Sequence, residues 1–187
     1  MNHFECIVTD RLIIRPLHSG DENDVLEILK DDYTARMVGF KPFESLDEAA
    51  LFISRWEYSG YAITERCSDK VIGILQLPMN HYKRVARIGY CLGEQYRGKG
   101  YMTEVVEAIK EYAFTIAWMD EIEMHVFCGN EPSRNVALKC GFHPDYESYK
   151  ENIFSPYGNI ESEERFTITS GDYAWERRGE TMLASAA

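Results

Sequence analysis

Residues 88–104 read IGYCLGEQYRGKGYMTE, and this stretch decides how we expect the rest of the chain to fold. Apolar residues alternate up to Leu92 in the manner of a strand, and an amphipathic helical pattern begins after Gly100. The segment between them is rich in glycine, with Gly93 and Gly98 preceding Gly100. The pattern therefore predicts a strand, a glycine-rich loop and a helix, with glycines directly before the helix.

This loop has the properties of an anion site. The first backbone N–H groups of a helix have no partner within the helix, and the helix dipole favours negative charge beside them. Glycine lets the backbone adopt a positive φ and approach a bulky phosphate closely. Arg97 and Lys99 add positive charge to the loop. The sequence therefore predicts a pyrophosphate site at the start of the helix.

Two common phosphate-binding motifs do not describe the loop. A P-loop requires serine or threonine after its lysine, but Gly100 follows Lys99. A Rossmann fingerprint that starts at Gly98 requires a third glycine where the chain has Thr103. The loop is therefore a poor match to both of these folds.

A second informative segment covers residues 130–142. Asn130 is placed to cap a helix, Pro132 is tolerated in the first turn, and Gly141 supplies a left-handed stop. Residues 121–127 before it alternate as a strand, with Glu123 on the polar face. Strand, cap, helix and glycine stop thus follow one another directly.

The pattern Gln95-x-x-Gly98-x-Gly100 resembles the acetyl-CoA pyrophosphate loop of the GNAT (Gcn5-related) N-acetyltransferases, and residues 130–142 resemble the second hallmark of that family at the matching spacing. Residues 96–104 and the opening phrase at 9–17 are similar, more narrowly, to the RimJ/RimL branch, which acetylates protein N-termini and other amines. The resemblance covers nearly everything from Thr9 to Arg178, and most of its specificity lies between Gly89 and Phe142.

The resemblance implies a single GNAT domain over residues 1–187 with the acyl-CoA N-acyltransferase fold. This fold is α+β (α/β mixed), with a mixed, mostly antiparallel sheet of about seven strands and about four flanking helices. The sheet is splayed between its fourth and fifth strands, which here end at Leu92 and Phe127, and acetyl-CoA lies in the gap. Residues from about 179 to 187 are predicted to form a flexible tail.

Sequence periodicity gives the bounds of the individual elements. The predicted strands cover residues 7–17, 61–64, 71–77, 85–92, 121–127, 145–154 and 164–168. The predicted helical segments cover residues 21–30, 45–56, 102–116, 130–142 and 172–178.

The resemblance also assigns residues to acetyl-CoA, the cosubstrate. It implies that backbone around Tyr90 and Leu92 pairs with the pantetheine arm and polarises the thioester carbonyl, an effect typically worth ~3 kcal/mol per donor. Asn130 hydrogen-bonds the same arm, or serves only as a helix cap. The pyrophosphate is held by backbone N–H groups of six consecutive residues: Arg97, Gly98, Lys99, Gly100, Tyr101 and Met102.

For the chemistry, the resemblance implies direct attack of an amine on the thioester, without an acyl-enzyme. Glu123 is the first candidate for the proton acceptor, and His125, Glu94 and relayed water remain alternatives. Many GNAT enzymes carry a tyrosine acid at the position that is Ala137 here, so Ser133 is the RimL-like alternative at the leaving thiolate.

Composition limits the remaining function classes. The chain has 20 Lys and Arg against 31 Asp and Glu, a net charge of −11, which argues against nucleic-acid binding and mildly favours a cationic acceptor, although solubility explains it equally well. Five scattered cysteines without a Cys-x-x-Cys pair give no reason to expect a metal. No apolar run approaches the ~20 residues of a membrane span and no signal peptide is visible, so we expect a cytoplasmic protein without membrane partners.

The sequence thus predicts an N-acetyltransferase that transfers the acetyl group of acetyl-CoA to a primary amine, by resemblance a protein or peptide N-terminus. One alternative is a small amine acceptor, such as a polyamine, an aminoglycoside-like antibiotic or an amino acid. Another is a non-catalytic sensor that binds CoA. The acceptor walls are expected at residues 33–56 and 154–163, and the oligomeric state stays open, with a homodimer as one option.

Overall fold

The computed structural model describes residues 4–154 and 160–184. The first half of the chain contains β1 (Ile7–Val8), β2 (Leu12–Pro16), α1 (Glu22–Leu29), α2 (Asp32–Met37), α3 (Leu46–Arg55), β3 (Gly60–Glu65), β4 (Val71–Gln76), β5 (Met79–Asn80) and β6 (Val85–Leu92). After a single 3₁₀ turn, the second half contains α4 (Tyr101–Thr115), β7 (Glu121–Phe127), α5 (Glu131–Lys139), β8 (His143–Phe154), β9 (Ile160–Thr169) and α6 (Ser170–Ala184).

Within these described ranges the strands form one mixed sheet in the order β1-β2-β3-β4-β6-β7-β9-β8, and β5 pairs with β6 beside it. Every neighbouring pair is antiparallel except β6 and β7, which are parallel. The predicted mostly antiparallel sheet is therefore confirmed, with nine strands and six α-helices in the described chain where about seven and about four were expected.

The additional elements have local causes. The first predicted strand is interrupted because the backbone N–H of Thr9 donates to the carbonyl of Leu12 and closes a turn between β1 and β2. Helix α2 was not predicted. Only two residues separate it from α1, and the Asp31 side chain caps it by accepting from the backbone N–H of Thr34. The last helix, α6, extends to Ala184, beyond the predicted turn at residues 172–178.

The sheet is splayed at the predicted place. Strands β6 and β7 pair only from Val85 with Glu121 to Ile88 with Met124. From Gly89 to Leu92, β6 continues to pair with β4 on its other side. In the described chain, the edge of β6 that faces β7 therefore has no strand partner over its last four residues, and its backbone groups there are available to a ligand.

Two apolar clusters cover the two faces of the sheet. Helix α4 contributes its predicted apolar stripe, including Met102 and Ile109, to a cluster that also contains Met124 of β7. Helices α1 and α3 contribute to a second cluster through Val25 and Phe52. Successive residues of β6 divide between the clusters, as the alternation of a strand requires.

Helices α3 and α5 begin with side-chain caps, and the one at Asn130 is as predicted. Ser45 begins α3 with a capping box that it shares with Glu48, and Asn130 caps α5 by accepting from the backbone N–H of Ser133. Among the described residues, no helix is long and apolar enough to cross a bilayer. Of the acceptor wall predicted at residues 154–163, residues 155–159 lie outside the described residues.

Candidate active site

A cleft of about 580 Å³ lies where β6 and β7 separate. Its lining comes from α2, the end of β6, the glycine-rich loop, the end of β7, the first turns of α5, and β9. Eight of the nine predicted acetyl-CoA residues line it, together with Ser133: Tyr90, Leu92, Arg97, Gly98, Gly100, Tyr101, Met102 and Asn130. The lining does not include Lys99 or Glu123.

The glycine-rich loop has the backbone geometry of an anion site. Gly98 and Gly100 have φ angles of +75° and +78°, in the left-handed region that favours glycine. Gly100 is the N-cap of α4, and among the described residues no side chain caps this helix. A Cβ at Gly98 would meet no atom within 4 Å, so the loop faces open space there. This main chain fits a pyrophosphate group.

Side chains from the turn between β1 and β2 hold the loop in place. Arg11 donates to the carbonyl of Lys99 at 2.9 Å and to the carboxylate of Glu104 on α4 at 2.6 Å. Thr9 donates to the same carboxylate. The first turn of α4 is therefore fixed to the sheet before any ligand binds.

The two cationic side chains of the loop do not share one role. Arg97 donates to Asp31 at 3.0 Å and to the hydroxyl of Thr34, so its guanidinium joins the loop to α2. The ammonium group of Lys99 lies 5.3 Å from the centre of the Tyr96 ring. Because both side chains have partners within the protein, the main-chain N–H groups are the candidate anion ligands of the loop.

Ser133, which the sequence predicted at the site, forms a hydroxyl pair with Tyr90 on the cleft lining. The Tyr90 and Ser133 oxygens are 3.0 Å apart, and either can donate to the other. Burial raises the pKa of the Tyr90 hydroxyl well above its ordinary value, and the hydrogen bond with Ser133 offsets only part of this. Sequence reasoning assigned only the backbone of Tyr90, because no sequence pattern relates two residues 43 positions apart.

Cys91 has the wrong chemistry for a covalent intermediate. The residue is part of the cleft lining, but its side chain packs against the apolar cluster of α1 and α3, and burial raises the pKa of the thiol to about 12. A thiol with this pKa is almost entirely protonated at neutral pH, and the thiolate is the nucleophile. The site therefore favours direct transfer over an acyl-enzyme at Cys91.

Glu123 lies on β7 next to the cleft and not on its lining, and two arginines occupy its carboxylate. Arg87 donates to one oxygen at 2.8 Å and Arg165 to the other at 3.0 Å. Burial alone would raise the pKa of Glu123, but the hydrogen bond from Arg87 and the nearby positive charges lower it below its ordinary value. This geometry weighs against Glu123 as a proton acceptor, because a carboxylate with a lowered pKa is a weaker base.

His125 is on the cleft lining and has a different arrangement. Its Nδ1 lies 2.7 Å from Oε1 of Glu163, which also lines the cleft. Since a carboxylate accepts, Nδ1 carries the proton and the neutral ring has its lone pair on Nε2. That buried Nε2 has no hydrogen-bond partner among the described residues. It lies 3.6 Å from Oε1 of Glu123, which would face an imidazolium if a proton were accepted there.

The predicted acceptor walls are only partly found on the cleft. Tyr33 of α2 lines it, as expected. Phe40 and Phe43 instead pack against Phe52 in the core, with ring centres 5.5 and 5.8 Å from it. Tyr157 lies outside the described residues. The side of the cleft predicted for the acceptor is therefore lined by α2 and by residues of β7 and β9 more than by the aromatic segment that follows α2.

The sequence profile of the acetyltransferase (GNAT) domain matches residues 11–143, which is more than half of the chain. The chain belongs to the GNAT acetyltransferase family. It is an acetyl-CoA-dependent N-acetyltransferase with the mixed, mostly antiparallel GNAT fold. The predicted family, fold and enzyme class are thus confirmed, whereas the RimJ/RimL branch stays a prediction.

Among GNAT relatives, an uncharacterized N-acetyltransferase of Bacillus subtilis, YoaA, is 28% identical over 164 residues, covering 82% of this chain and 88% of that protein. The structure of a putative ribosomal-protein-serine acetyltransferase from Vibrio cholerae has a TM-score of 0.75 at 23% identity and covers 88% of this chain and 97% of its own. A spermidine N-acetyltransferase from Vibrio cholerae, in complex with CoA and spermine, has a TM-score of 0.75 at 21% identity, with coverage of 87% and 98%. At these identities the two structures show the fold alone.

The cleft of this GNAT enzyme fits acetyl-CoA on structural grounds. The uncapped start of α4 suits the pyrophosphate, and the free edge of β6 at Gly89–Leu92 suits an amide-rich arm that adds like a strand. Among the described residues, no group of three or more histidine, cysteine, aspartate or glutamate side chains could hold a metal ion.

Proposed function

We propose that this enzyme transfers the acetyl group of acetyl-CoA directly to a primary amine in a ternary complex, with a protein N-terminus of the RimJ/RimL type as the first candidate acceptor. The observation that carries the proposal is one continuous cleft with an anion-binding backbone at Gly98–Gly100 and a histidine–carboxylate pair, His125 and Glu163. Orienting two substrates in one cleft can supply a large part of a rate enhancement.

The amine must lose a proton, and His125 is the acceptor that the geometry favours. A proton taken at Nε2 produces an imidazolium between the carboxylates of Glu163 and Glu123. Both carboxylates stabilise that cation through their negative charge. On this account Glu123, the candidate from the sequence, acts on the ring of His125 and does not take the proton itself.

The class of acceptor determines how much help this base must give. An α-amino group has a reference pKa of ~7.7–8.0, so roughly a tenth of it is neutral at pH 7. A lysine-like ammonium, with a reference pKa of ~10.4, is neutral in only about one part in a few thousand. A protein N-terminus therefore needs less assistance than a polyamine.

A polyamine is the second candidate. The carboxylate of Glu163 on the cleft lining and the net charge of −11 both favour a multiply charged cation. The structural similarity to a spermidine N-acetyltransferase adds support at the level of fold. The remaining alternatives are an aminoglycoside-like antibiotic or an amino acid as acceptor, and a sensor that binds CoA without turnover.

CoA release from acetyl-CoA, measured with a panel of amines, separates these candidates. The peptide arm uses one sequence in three forms: a free α-amine without lysine, a blocked α-amine with one lysine, and both amines blocked. Spermidine, an aminoglycoside and free amino acids complete the panel. We expect turnover with the first peptide form only. Turnover with spermidine alone would select the polyamine, and binding of acetyl-CoA without any turnover would refute the proposed transfer.

A further inference from the structure

The hydroxyl pair of Tyr90 and Ser133 has an unused donor. Two hydroxyl groups 3.0 Å apart share one hydrogen bond, which engages one of their two protons. Whichever oxygen donates within the pair, the other hydroxyl keeps a proton that it can donate elsewhere. Because both residues line the cleft, this second proton is available to a ligand bound there.

The pair is held by two separate elements. Tyr90 belongs to the part of β6 that has lost β7 as a neighbour, and its ring packs against the apolar cluster beneath α4. Ser133 lies in the first turn of α5, where its backbone N–H donates to the Asn130 side chain at 3.2 Å. The hydroxyls therefore meet across the opening between β6 and α5 with little conformational freedom.

The neighbouring positions offer no comparable donor. Ala137 lies one helical turn after Ser133 on the same face of α5, is fully buried and has no polar side-chain atom. Cys91, the next residue on β6, points to the opposite cluster. The Tyr90–Ser133 pair is thus the hydroxyl donor that these two elements bring to the opening of the sheet.

We propose that Tyr90 is a catalytic residue of the acetyl transfer, and that its hydroxyl, coupled to Ser133, donates a hydrogen bond to the sulfur of acetyl-CoA as the thiolate departs. This inference rests on the proposed function. In the reaction, a bond forms between the amine nitrogen and the carbonyl carbon, the carbon–sulfur bond breaks, and its electron pair goes to sulfur. The proton of the amine goes to His125 or to water.

The pair keeps its own protons in this step. A phenol has a reference pKa of ~10 and a thiol ~8.5, so full transfer from tyrosine to a thiolate is unfavourable even before burial raises the pKa of Tyr90 further. A hydrogen bond to the developing charge needs no such transfer. On this account Ser133, which the sequence places at the leaving thiolate, shares the role of donor with Tyr90.

Conservative substitutions measure the contribution of the pair to turnover. Tyr90→Phe keeps the ring that packs in the core and removes only the hydroxyl. One preorganised donor to an oxyanion is worth about 10²–10³ in kcat, and a thiolate is a weaker acceptor than an oxyanion. We therefore expect kcat to fall about 10- to 100-fold, with a nearly unchanged KM for acetyl-CoA. Ser133→Ala should lose less, and the double variant should be no slower than Tyr90→Phe within about threefold, because the two hydroxyls act as one unit.

Tyr61→Phe is the matched control. Tyr61 is fully buried and its hydroxyl has no hydrogen-bond partner among the described residues, but the residue lies outside the cleft lining. Removing this hydroxyl should leave kcat within about twofold of the wild-type enzyme. A loss equal to that of Tyr90→Phe would assign both effects to packing and overturn the inference.

A binding measurement tests the contact with sulfur independently of activity. Calorimetry at pH 9, which raises the thiolate fraction of free CoA above that at neutral pH, compares CoA with desulfo-CoA, which lacks the sulfur atom. We expect the wild-type enzyme to prefer CoA by about fivefold to tenfold, and Tyr90→Phe to bind the two ligands almost equally.

The two measurements distinguish failure of this inference from failure of the proposed function. If the wild-type enzyme turns over and Tyr90→Phe has the same kcat, or the same preference for CoA over desulfo-CoA, the role of Tyr90 is refuted and the proposed function is not. An equal loss of affinity for both ligands would show that Tyr90 only supports the fold. A wild-type preference for CoA without turnover on any amine would support the sulfur contact and refute the transfer reaction.

Discussion

The two ends of the cleft are built in different ways. The end that we propose for acetyl-CoA is made mainly of main chain from one short stretch, with left-handed glycines at 98 and 100 and the uncapped start of α4. The end that we propose for the acceptor is made of side chains from α2, β7 and β9, including His125 and Glu163, which are 38 positions apart in sequence. Backbone geometry is encoded locally by glycine and by a helix start, whereas an assembly of side chains requires the whole sheet to form first.

The largest expected effect is at the acceptor end. His125→Gln preserves a polar side chain but removes the base, and general-base catalysis is typically worth 10²–10⁴, so we expect kcat to fall about 100-fold. Glu123→Gln leaves the ring of His125 in place and should lower kcat only about threefold to tenfold. The groups that face this ring are Glu123, Glu163 and Arg165, so their variants are the appropriate comparison. A larger loss in Glu123→Gln than in His125→Gln would restore Glu123 as the base.

The next effect tests the main-chain end. In Gly98→Ala, a left-handed φ costs an alanine about 1–2 kcal/mol, and the new Cβ points into open space where a phosphate would lie. We expect the dissociation constant for CoA, measured by calorimetry, to rise about 10- to 30-fold. Gly20→Ala is the control, because Gly20 also has a positive φ, +111°, but lies outside the cleft lining. Its CoA affinity should stay within twofold, and equal losses in both variants would contradict a phosphate role for the loop.

A smaller effect tests the connection between the two ends. Arg97→Met removes the guanidinium that bonds Asp31 and Thr34 and lies 5.0 Å from the Tyr33 ring centre, so α2 loses its link to the loop. We expect the KM for the amine to rise about fivefold to tenfold, with a smaller change for acetyl-CoA, since one charge-assisted bond is typically worth about 1.5–3 kcal/mol and part of that is lost to solvent. Lys99→Met removes the other loop cation, which makes no such link, and both KM values should stay within about threefold. If Lys99→Met had the larger effect on the amine, this link would be refuted.

The smallest effect concerns stability at the acceptor end. Because the folded-state pKa of Glu123 is lowered, its ion pairs stabilise the fold above the ordinary carboxylate range and cease to do so as pH falls through the lowered pKa. Glu123→Gln should therefore reduce the free energy of unfolding by about 1–2 kcal/mol at pH 7. Denaturant titrations of both proteins should show this difference shrinking below pH ~4. A difference that is constant between pH 7 and pH 3 would mean that the carboxylate charge is not its cause.

The backbone elements around the end of the cleft that we propose for acetyl-CoA could be predicted from sequence almost residue by residue. Strands β6 and β7 have the predicted bounds, and Asn130 caps α5 as expected. Lys99 was assigned to the pyrophosphate through its backbone N–H, together with its neighbours. Its side chain lies against the Tyr96 ring and is not part of the cleft lining.

The acceptor end could not be predicted in this way. Alternation correctly placed Glu123 and His125 on one face of β7, but the partners of Glu123 depend on strand register. Arg87 lies directly opposite Glu123 in the ladder between β6 and β7, and no local pattern encodes that pairing. Helix α2, with six residues, is too short to give a clear periodic signal.

The most direct test of the central claim, that both substrates meet in one cleft and react without an acyl-enzyme, is an initial-rate experiment on CoA release. Acetyl-CoA and an amine that turns over are both varied, and the enzyme is then incubated with acetyl-CoA alone and examined by intact mass. Our account predicts reciprocal plots that intersect and no mass increase on the enzyme. Parallel plots together with a stoichiometric acetyl group on Cys91 would contradict it.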